Sequence, residues 1–311
     1  MNKAEGGTDM EANYAVDYQT DSALALVPAR SRWRYLKLFI RNKKAVVGAV
    51  ILSVIVLSSV FAPWITSYSP TQQNIRNRLQ PPSRTHLLGT DNFGRDTFTR
   101  IIYGGRISLR VGFISIGIAL SIGGLMGLIA GYYGGILDAI FMRLVDILLA
   151  LPGFLLALAI VAALGSSLTN VMIAVGISYI PVFARVMRSA VLAIRKTEYI
   201  IAAQAAGASD MRIIFRHILP NAINPIIVQA TLALAGAILS AAGLSFLGMG
   251  AQPPTPEWGS MISQSRQFIR ESHYVVTFPG LAIFLTVLSL NLVGDGLRDM
   301  LDPRMKNIGI K

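Results

Sequence analysis

Residues Gly112–Gly135 read GFISIGIALSIGGLMGLIAGYYGG, a stretch that contains no charged side chain. A helix needs about 20 predominantly apolar residues to cross the hydrocarbon core of a bilayer. The stretch therefore predicts a membrane-spanning helix. Gly123, Gly127, Gly131 and Gly135 recur at four-residue intervals and so lie on one helical face. Small residues on one face allow a second helix to approach closely, and we expect such a neighbour here.

Similar apolar runs recur along the chain, which is 53% hydrophobic and 14% charged. A soluble domain has about 25% charged residues, so the apolar surface is too large for one water-soluble core. The sequence predicts an all-α polytopic membrane protein with six transmembrane helices. We place the spans at about 45–65, 107–132, 144–164, 170–190, 222–248 and 275–297.

Three prolines and one tryptophan refine the predicted positions and shapes of the spans. Pro152 and Pro181 are expected to kink the third and fourth spans, since proline removes a backbone hydrogen bond inside a helix. Asn224 followed by Pro225 is typical of a helix N-terminus and predicts the start of the fifth span. In the outer loop, Trp258 is interpreted as an interfacial anchor.

Lysine and arginine set the orientation of the spans, because cytoplasmic loops are enriched in both. With a cytoplasmic N-terminus, the inner segments hold 19 of the 28 basic residues, including every lysine. The cluster from Arg30 to Lys44 directly precedes the first span. Both termini are therefore predicted to be cytoplasmic. This distribution accounts for most of the formal net charge of +12, so we predict no nucleic-acid partner.

Charged groups are scarce inside the predicted spans. Within the predicted ranges the charged residues are Arg110, Asp146, Arg185, Arg188 and Asp295, and Asp146 is the candidate that we consider. A carboxylate inside a membrane is a functional candidate. An ion pair with Arg143, three residues earlier on the same helix, is the favoured interpretation. Because no chain of carboxylates and histidines crosses the membrane, a proton-coupled carrier is disfavoured.

The connection between the fourth and fifth spans contains the most informative segment. It reads TEYIIAAQAAGASDMRIIFRHILPN over Thr197–Asn221. The polar stretch from Arg188 to Asn221 is far longer than the two to eight residues that usually join two helices. We therefore expect structure of its own within residues 191–221.

The pattern of caps predicts two short helices joined at a glycine. Thr197 is a candidate N-cap for an alanine-rich first helix, which Gly207 ends. Ser209 or Asp210 is a candidate cap for the second helix. The pair Leu219-Pro220 is expected to stop that helix.

This segment resembles the coupling loop of importer-type ABC permeases, whose pattern is Glu-Ala-Ala, three residues, Gly, nine residues, Ile, one residue and Leu-Pro. The chain matches it at Ala202, Ala203, Gly207, Leu219 and Pro220. It departs from the pattern at two positions, where the glutamate is replaced by Ile201 and the isoleucine by His217.

Three further stretches resemble the C-type subunit of dipeptide and oligopeptide permeases, and a glutathione importer's subunit looks at least as close. They are HLLGTDNFGRDTFTRIIYGGRISLRVG (His86–Gly112), LSFLGMGAQPPTPEWGSMI (Leu244–Ile262) and FPGLAIFLTVLSLNLVGDGLRDMLDPR (Phe278–Arg304). Taken locally, Asp96 and Arg100 are expected to pair at i,i+4 on a short helix.

The resemblance implies a MetI-like type I ABC importer fold in a bacterial inner membrane. It implies a second homologous permease subunit in a heterodimer, two ATPase subunits that dock on the coupling loop, and an extracytoplasmic substrate-binding protein. The chain itself has no G-x-x-x-x-G-K-[ST] phosphate loop, so we expect ATP hydrolysis in those separate subunits and no cofactor here. The implied cargo is a dipeptide, an oligopeptide or a glutathione-like substrate.

This interpretation divides the chain into four parts. Residues 1–30 are expected to form a disordered cytoplasmic tail and 31–110 an N-terminal segment with the first span and an outer loop. A five-helix core occupies 111–300 and holds the coupling loop at 191–221. Residues 301–311 are predicted to form a second cytoplasmic tail.

Two other classes of protein remain open from the residues alone. A channel or secondary carrier would transport without ATPase partners. A membrane-embedded enzyme would need a nucleophile and a base within reach of each other. The in-span serines Ser178, Ser240 and Ser245 have no in-span histidine partner, and serine in a membrane helix usually forms interhelical hydrogen bonds.

Overall fold

A computed structural model describes residues 39–301. The predicted tail at 1–30 therefore lies outside the described residues, as does all of the predicted tail at 301–311 except its first residue. Within that range the protein is helical and contains no β-strand, which confirms the all-α prediction. The long helices are α1 (Lys43–Val60), α3 (Thr97–Tyr133), α4 (Gly135–Leu149), α5 (Gly153–Leu164), α6 (Leu168–Arg195), α9 (Leu219–Phe246) and α11 (Tyr274–Leu301). Short helices are α2 (Ala62–Ile65), α7 (Glu198–Ala205), α8 (Asp210–Ile213) and α10 (Trp258–Ser265).

Five continuous helical stretches in the described range are long and apolar enough to cross a membrane, and a bent pair supplies a sixth. The pair is α4 with α5, which meet at an angle of 86°. The predicted third span is thus broken rather than straight. Pro152 occupies the N-cap of α5. Its ring cannot continue α4, and it pushes the preceding residue away from helical backbone angles. By contrast, Pro181 lies inside the continuous helix α6.

The glycine face of α3 packs against α6, as the four-residue spacing predicts. A Cβ atom on Gly123 or Gly127 would collide with backbone oxygens of α6, those of Ile180 and Ala184 respectively. A Cβ on Gly131 would lie 3.0 Å from the carbonyl oxygen of Arg188. The two helices therefore approach backbone to backbone at three positions over about two turns of α3.

Gly135 does not join this face. Helix α3 ends at Tyr133, and Gly134 and Gly135 both have positive φ angles, 69° and 56°. This backbone conformation favours glycine and reverses the chain into α4. No atom lies within 4 Å of a Cβ built on Gly135.

The fifth span begins earlier than Asn224-Pro225. Helix α8 continues through a π-helical turn at Ile214–Ile218 into α9, so the helical stretch runs from Asp210 to Phe246. Pro220 has no N–H to donate to the preceding turn, and the wide π-turn accommodates it at the start of α9. The predicted stop at Leu219-Pro220 is therefore wrong.

Buried charges hold residues 66–96 against the helical bundle. Asp91 accepts a 2.6 Å bond from Nε of Arg95, and both side chains are buried. The guanidinium of Arg100 donates to the carbonyl oxygens of Pro70, at 2.7 Å, and Pro254, at 3.3 Å. These bonds tie residues 66–96 to the loop that precedes α10.

Asp96 does not pair with Arg100. It is the N-cap of α3, where it accepts from the backbone N–H of Thr99 at 2.8 Å, and it lies 2.9 Å from Nδ1 of His86. A carboxylate at this position satisfies helix-end donors and meets the positive end of the helix dipole. Arg100 instead lies 3.4 Å from Asp91.

Trp258 is not an interfacial anchor, because it is 1% exposed. Its indole N–H donates to the carbonyl oxygen of Ile101 at 2.9 Å, and its ring lies against Gly104 and Gly105. The preceding residue, Glu257, caps α10 and is also buried. Burial raises the pKa of its carboxyl group, although the hydrogen bonds that it accepts from backbone N–H groups act in the opposite direction. Both side chains, of Trp258 and Glu257, are thus part of the protein interior.

We expect Gly127→Ala to destabilise the protein by about 1–3 kcal/mol, because the added methyl group would collide with the backbone of α6. Gly117→Ala is the matched control, since nothing lies within 4 Å of a Cβ at that position of the same helix. It should be neutral or stabilising by up to about 1 kcal/mol, because alanine favours helix. Thermal unfolding of the two purified variants in detergent measures the difference, and equal Tm values would contradict this packing.

Candidate coupling segment

The connection between α6 and α9 forms two short helices joined at a glycine, as the caps predict. We call residues 196–218 the coupling segment. Helix α6 continues to Arg195, α7 spans Glu198–Ala205 and α8 begins at Asp210. The predicted loop at 191–221 is therefore helical at both ends, since α6 and α9 extend into it.

The turn at Gly207 is a Schellman motif. The N–H of Gly207 donates to the carbonyl oxygen of Gln204 at 2.9 Å, and the N–H of Ala208 donates to that of Ala203 at 3.0 Å. Gly207 has a φ angle of +77°, the left-handed conformation that this motif needs. It lies at the surface with no atom within 4 Å of a built Cβ. Among residues 39–301, no atom would contact a side chain placed at this turn.

The predicted N-caps occupy their positions without making the expected bonds. Thr197 precedes α7, but its hydroxyl donates to the carbonyl oxygen of Ile194 at 2.6 Å. Ser209 precedes α8 and makes no side-chain capping bond. Asp210 accepts a hydrogen bond of 2.7 Å from the hydroxyl of Tyr132, near the end of α3. The carboxylate thereby joins the coupling segment to a transmembrane helix.

A buried apolar cluster fastens the coupling segment to the bundle. Its members in α7, α8 and the π-turn are at most 6% exposed: Ile200, Ile213, Ile214 and Ile218. They pack with residues of α3, α6 and α9, namely Leu128, Tyr132, Met187, Val191, Ala222 and Ile226. Burying an isoleucine side chain stabilises by roughly 1.5–3 kcal/mol. The segment should therefore move as one body with the ends of α3 and α6.

The exposed side of the coupling segment carries four large apolar side chains among charged and polar ones, uncovered in the described part of the chain. Tyr199, Ile201, Met211 and Phe215 are 46%, 55%, 62% and 58% exposed. A contiguous set of large exposed apolar residues marks an interaction surface more often than isolated ones do. Ile201, which replaces the glutamate of the resembling pattern, adds to this surface.

The five residues chosen from the sequence fall into two places. Ala202, Ala203 and Gly207 share α7 and its C-terminal turn. Leu219 and Pro220 lie beyond the π-turn at the start of α9. Leu219 packs against the buried cluster, and Pro220 is exposed.

Two ion pairs near this segment escape prediction from sequence, since each joins residues far apart in the chain. Arg188 of α6 binds Asp138 of α4 through two bonds, of 2.6 and 2.7 Å. Asp146 binds Arg185 at 2.8 Å, so the predicted pairing with Arg143 is wrong. Helix α6 carries both arginines and continues to Arg195, beyond the predicted end of the fourth span at about residue 190.

We expect Tyr132→Phe to loosen the coupling segment without unfolding the bundle. The change removes the bond to Asp210, and a hydrogen bond to a charged group contributes about 1.5–3 kcal/mol. Hydrogen exchange of the amides in α7 and α8 should accelerate by roughly tenfold or more. Tyr133→Phe is the control, because Tyr133 is exposed and makes no side-chain hydrogen bond among residues 39–301. Equal exchange in both variants would contradict this role of the Tyr132 hydroxyl.

Two family models match the chain. The model described as binding-protein-dependent transport system inner membrane component matches residues 123–307. The model described as the N-terminal TM domain of oligopeptide transport permease C matches residues 31–82. Together they span both the N-terminal helix and the core that carries the coupling segment.

Curated relatives match almost end to end. The dipeptide transport system permease protein DppC of Alkalihalophilus pseudofirmus is 53% identical over 92% of this chain and 93% of its own. DppC of Escherichia coli is 50% identical, with 90% and 95% covered. The glutathione transport system permease protein GsiD of Pectobacterium atrosepticum is 45% identical, with 89% and 93% covered.

A solved structure of the MetNI methionine ABC transporter in an inward facing conformation matches with a TM-score of 0.53. The match covers 65% of this chain and 96% of the chain in the solved structure. Because the two are 21% identical, the similarity concerns the fold alone. This confirms the predicted MetI-like permease fold. With the family models and the relatives, it confirms the resemblance seen in the sequence: the chain belongs to the family of binding-protein-dependent transport system inner membrane components.

Proposed function

We propose that this chain is the membrane-spanning permease subunit of an ATP-driven importer for short peptides and forms half of its translocation path. The observation that carries the proposal is the coupling segment. One face is packed into the bundle through four buried isoleucines, and the other exposes large apolar side chains. A surface built in this way receives force from a partner and transmits it to the helices beneath.

The proposed partner at this surface is an ATPase subunit. Closure of two such subunits on ATP would displace the coupling segment as a rigid body. The buried cluster and the bond between Tyr132 and Asp210 would carry the displacement into α3 and α6. Because α3 and α6 touch through glycine backbones, they would shift together and switch the spans between inward-open and outward-open arrangements.

The complete importer in this proposal has a second, homologous permease subunit, two ATPase subunits and an extracytoplasmic binding protein. Membership of a binding-protein-dependent family supports the last of these. The names of the DppC and GsiD relatives support a dipeptide or the tripeptide-like glutathione as cargo. The distribution of lysine and arginine supports cytoplasmic termini, which places the coupling segment on the side where ATP is available.

The proposal is tested by purifying the chain with the products of adjacent genes through a tag on this subunit. We expect an ATPase with a phosphate loop to co-purify, and the binding protein loaded with a dipeptide to stimulate ATP hydrolysis in proteoliposomes. If the chain purified alone and transported solute without ATP, it would be a channel or secondary carrier.

We expect Gly207→Asp to uncouple ATP hydrolysis from uptake while the protein remains in the membrane. The substitution places a charged side chain on the exposed corner of the docking surface, where nothing within the described chain obstructs it. Uptake of a dipeptide per ATP hydrolysed, measured in proteoliposomes, should fall by at least tenfold.

Gly248→Asp is the matched control for this experiment. Gly248 follows α9 in a Schellman motif of the same kind, with a φ angle of +85° and no atom within 4 Å of a built Cβ. The backbone strain is therefore comparable, but Gly248 lies at the other end of α9. Normal coupling in Gly207→Asp, or equal loss in both variants, would contradict the docking assignment.

A further inference from the structure

The ion pair between Asp146 and Arg185 is unusually open for a pair inside membrane-spanning helices. Oδ1 of Asp146 lies 2.8 Å from Nη2 of Arg185, and the two side chains are 55% and 57% exposed. Among residues 39–301 this is the pair's one direct bond. The second carboxylate oxygen and the remaining guanidinium N–H groups are left available to another molecule.

The neighbouring pair between Asp138 and Arg188 serves as an internal comparison. It joins the same two helices, but it is bidentate and its side chains are 23% and 34% exposed. That geometry uses both carboxylate oxygens and is the one expected of a structural tie. The Asp146–Arg185 pair has neither the second bond nor the burial.

The two pairs also differ in their distance from the helix ends. Asp146 lies about 16 Å along α4 from Gly135, and Arg185 lies about 15 Å along α6 from Arg195, at 1.5 Å per residue. Both charges therefore lie about three helical turns from these helix ends, whereas Asp138 lies within the first turn of α4.

Charges within helices that are apolar enough to span a membrane need a polar surrounding. Facing hydrocarbon, the unused donors and acceptors of the pair would lose their hydrogen bonds to water. Such charges face a bundle interior or a water-filled cavity, and the centres of protein interfaces are depleted of charged residues. Ser189, one turn further along α6 than Arg185, is exposed as well. These features favour an aqueous path over an apolar contact with a second permease subunit.

We infer that Asp146 and Arg185 form a recognition site in the translocation path for the charged termini of a free peptide, Asp146 for the ammonium group and Arg185 for the carboxylate. The inference rests on the peptide cargo of the proposed function. At neutral pH a free peptide carries one charge of each sign at its ends, and two extended residues span about 7 Å. One dipeptide can therefore reach both side chains while they stay paired.

The test uses the full importer and three probes: Ala-Ala, N-acetyl-Ala-Ala and Ala-Ala amide. Binding to the detergent-purified complex without its binding protein is measured by competition against radiolabelled Ala-Ala. The wild-type complex should bind Ala-Ala at least tenfold more tightly than either blocked peptide, as loss of a charge-assisted bond predicts. Asp146→Asn should abolish the preference over the N-acetyl peptide, and Arg185→Gln the preference over the amide.

The double variant Asp146→Asn/Arg185→Gln separates recognition from a structural ion pair. Removing one partner of a structural pair leaves an uncompensated charge, so neutralising both would restore assembly and uptake. A recognition site predicts that the double variant binds Ala-Ala more weakly than either single variant. Asp146→Glu and Arg185→Lys keep the charges and should retain most of the discrimination.

Arg143→Gln is the control, since Arg143 is exposed on α4 and forms no ion pair within residues 39–301. It should leave binding and uptake unchanged. Wild-type selectivity in both single variants, restoration in the double variant, loss of the second permease subunit on purification, or uptake without measurable wild-type binding would each overturn the inference. If the wild-type importer takes up no peptide at all, the proposed function fails instead.

Discussion

The rest of the structure depends on the backbone contact between α3 and α6. Gly123, Gly127 and Gly131 remove the side chains that would hold the two helices apart, and the carbonyl oxygens of α6 fill the space. In a membrane, lipid competes equally for apolar side chains, so close packing of small residues is a principal source of helix association. This contact fixes α6 beside α3, and both the coupling segment and the ion pairs to α4 are positioned from α6.

The coupling segment has two different faces, and the proposed transmission of motion depends on that difference. The inward face is a cluster of isoleucines packed among α3, α6 and α9, with a hydrogen bond from Tyr132 to Asp210 at its edge. The outward face exposes four large apolar side chains that nothing covers in the described chain. A segment fastened in this way cannot slide independently, because its buried contacts would be lost. Any partner that moves the outward face must move the ends of the transmembrane helices.

The break at Pro152 separates two helices, α4 and α5, that contact α6 in different ways. Helix α5 is apolar and packs on α6, whereas α4 carries Asp138 and Asp146 against the arginines of α6. One pair lies near the helix ends and is saturated by two bonds. The other lies about two turns further from the helix end along α4 and about one turn further along α6, with bonding capacity unused. This gradient, from a structural tie to an open pair along the same two helices, is what a polar path through an apolar protein requires.

The sequence by itself determined the class of fold and the place of the coupling segment. Runs of apolar residues longer than 20, glycines at four-residue spacing and the turn at Gly207 are local signals. Each depends on the backbone conformation or the solvation of a single segment, so it can be recognised in the sequence of that segment.

Tertiary structure decided which side chains bind each other. Asp146 has Arg143 within reach along its own helix but binds Arg185, and Asp96 caps α3 instead of pairing with Arg100. Trp258 resembles an interfacial residue in sequence, yet it is buried against Gly104 and Gly105. The start of the fifth span was missed for a related reason: the π-turn at Ile214–Ile218 lets the helix pass Pro220, and its buried contacts with α3 and α6 stabilise it. Each of these outcomes depends on which residues far apart in the chain are brought together, and a single sequence does not encode that proximity in any local pattern.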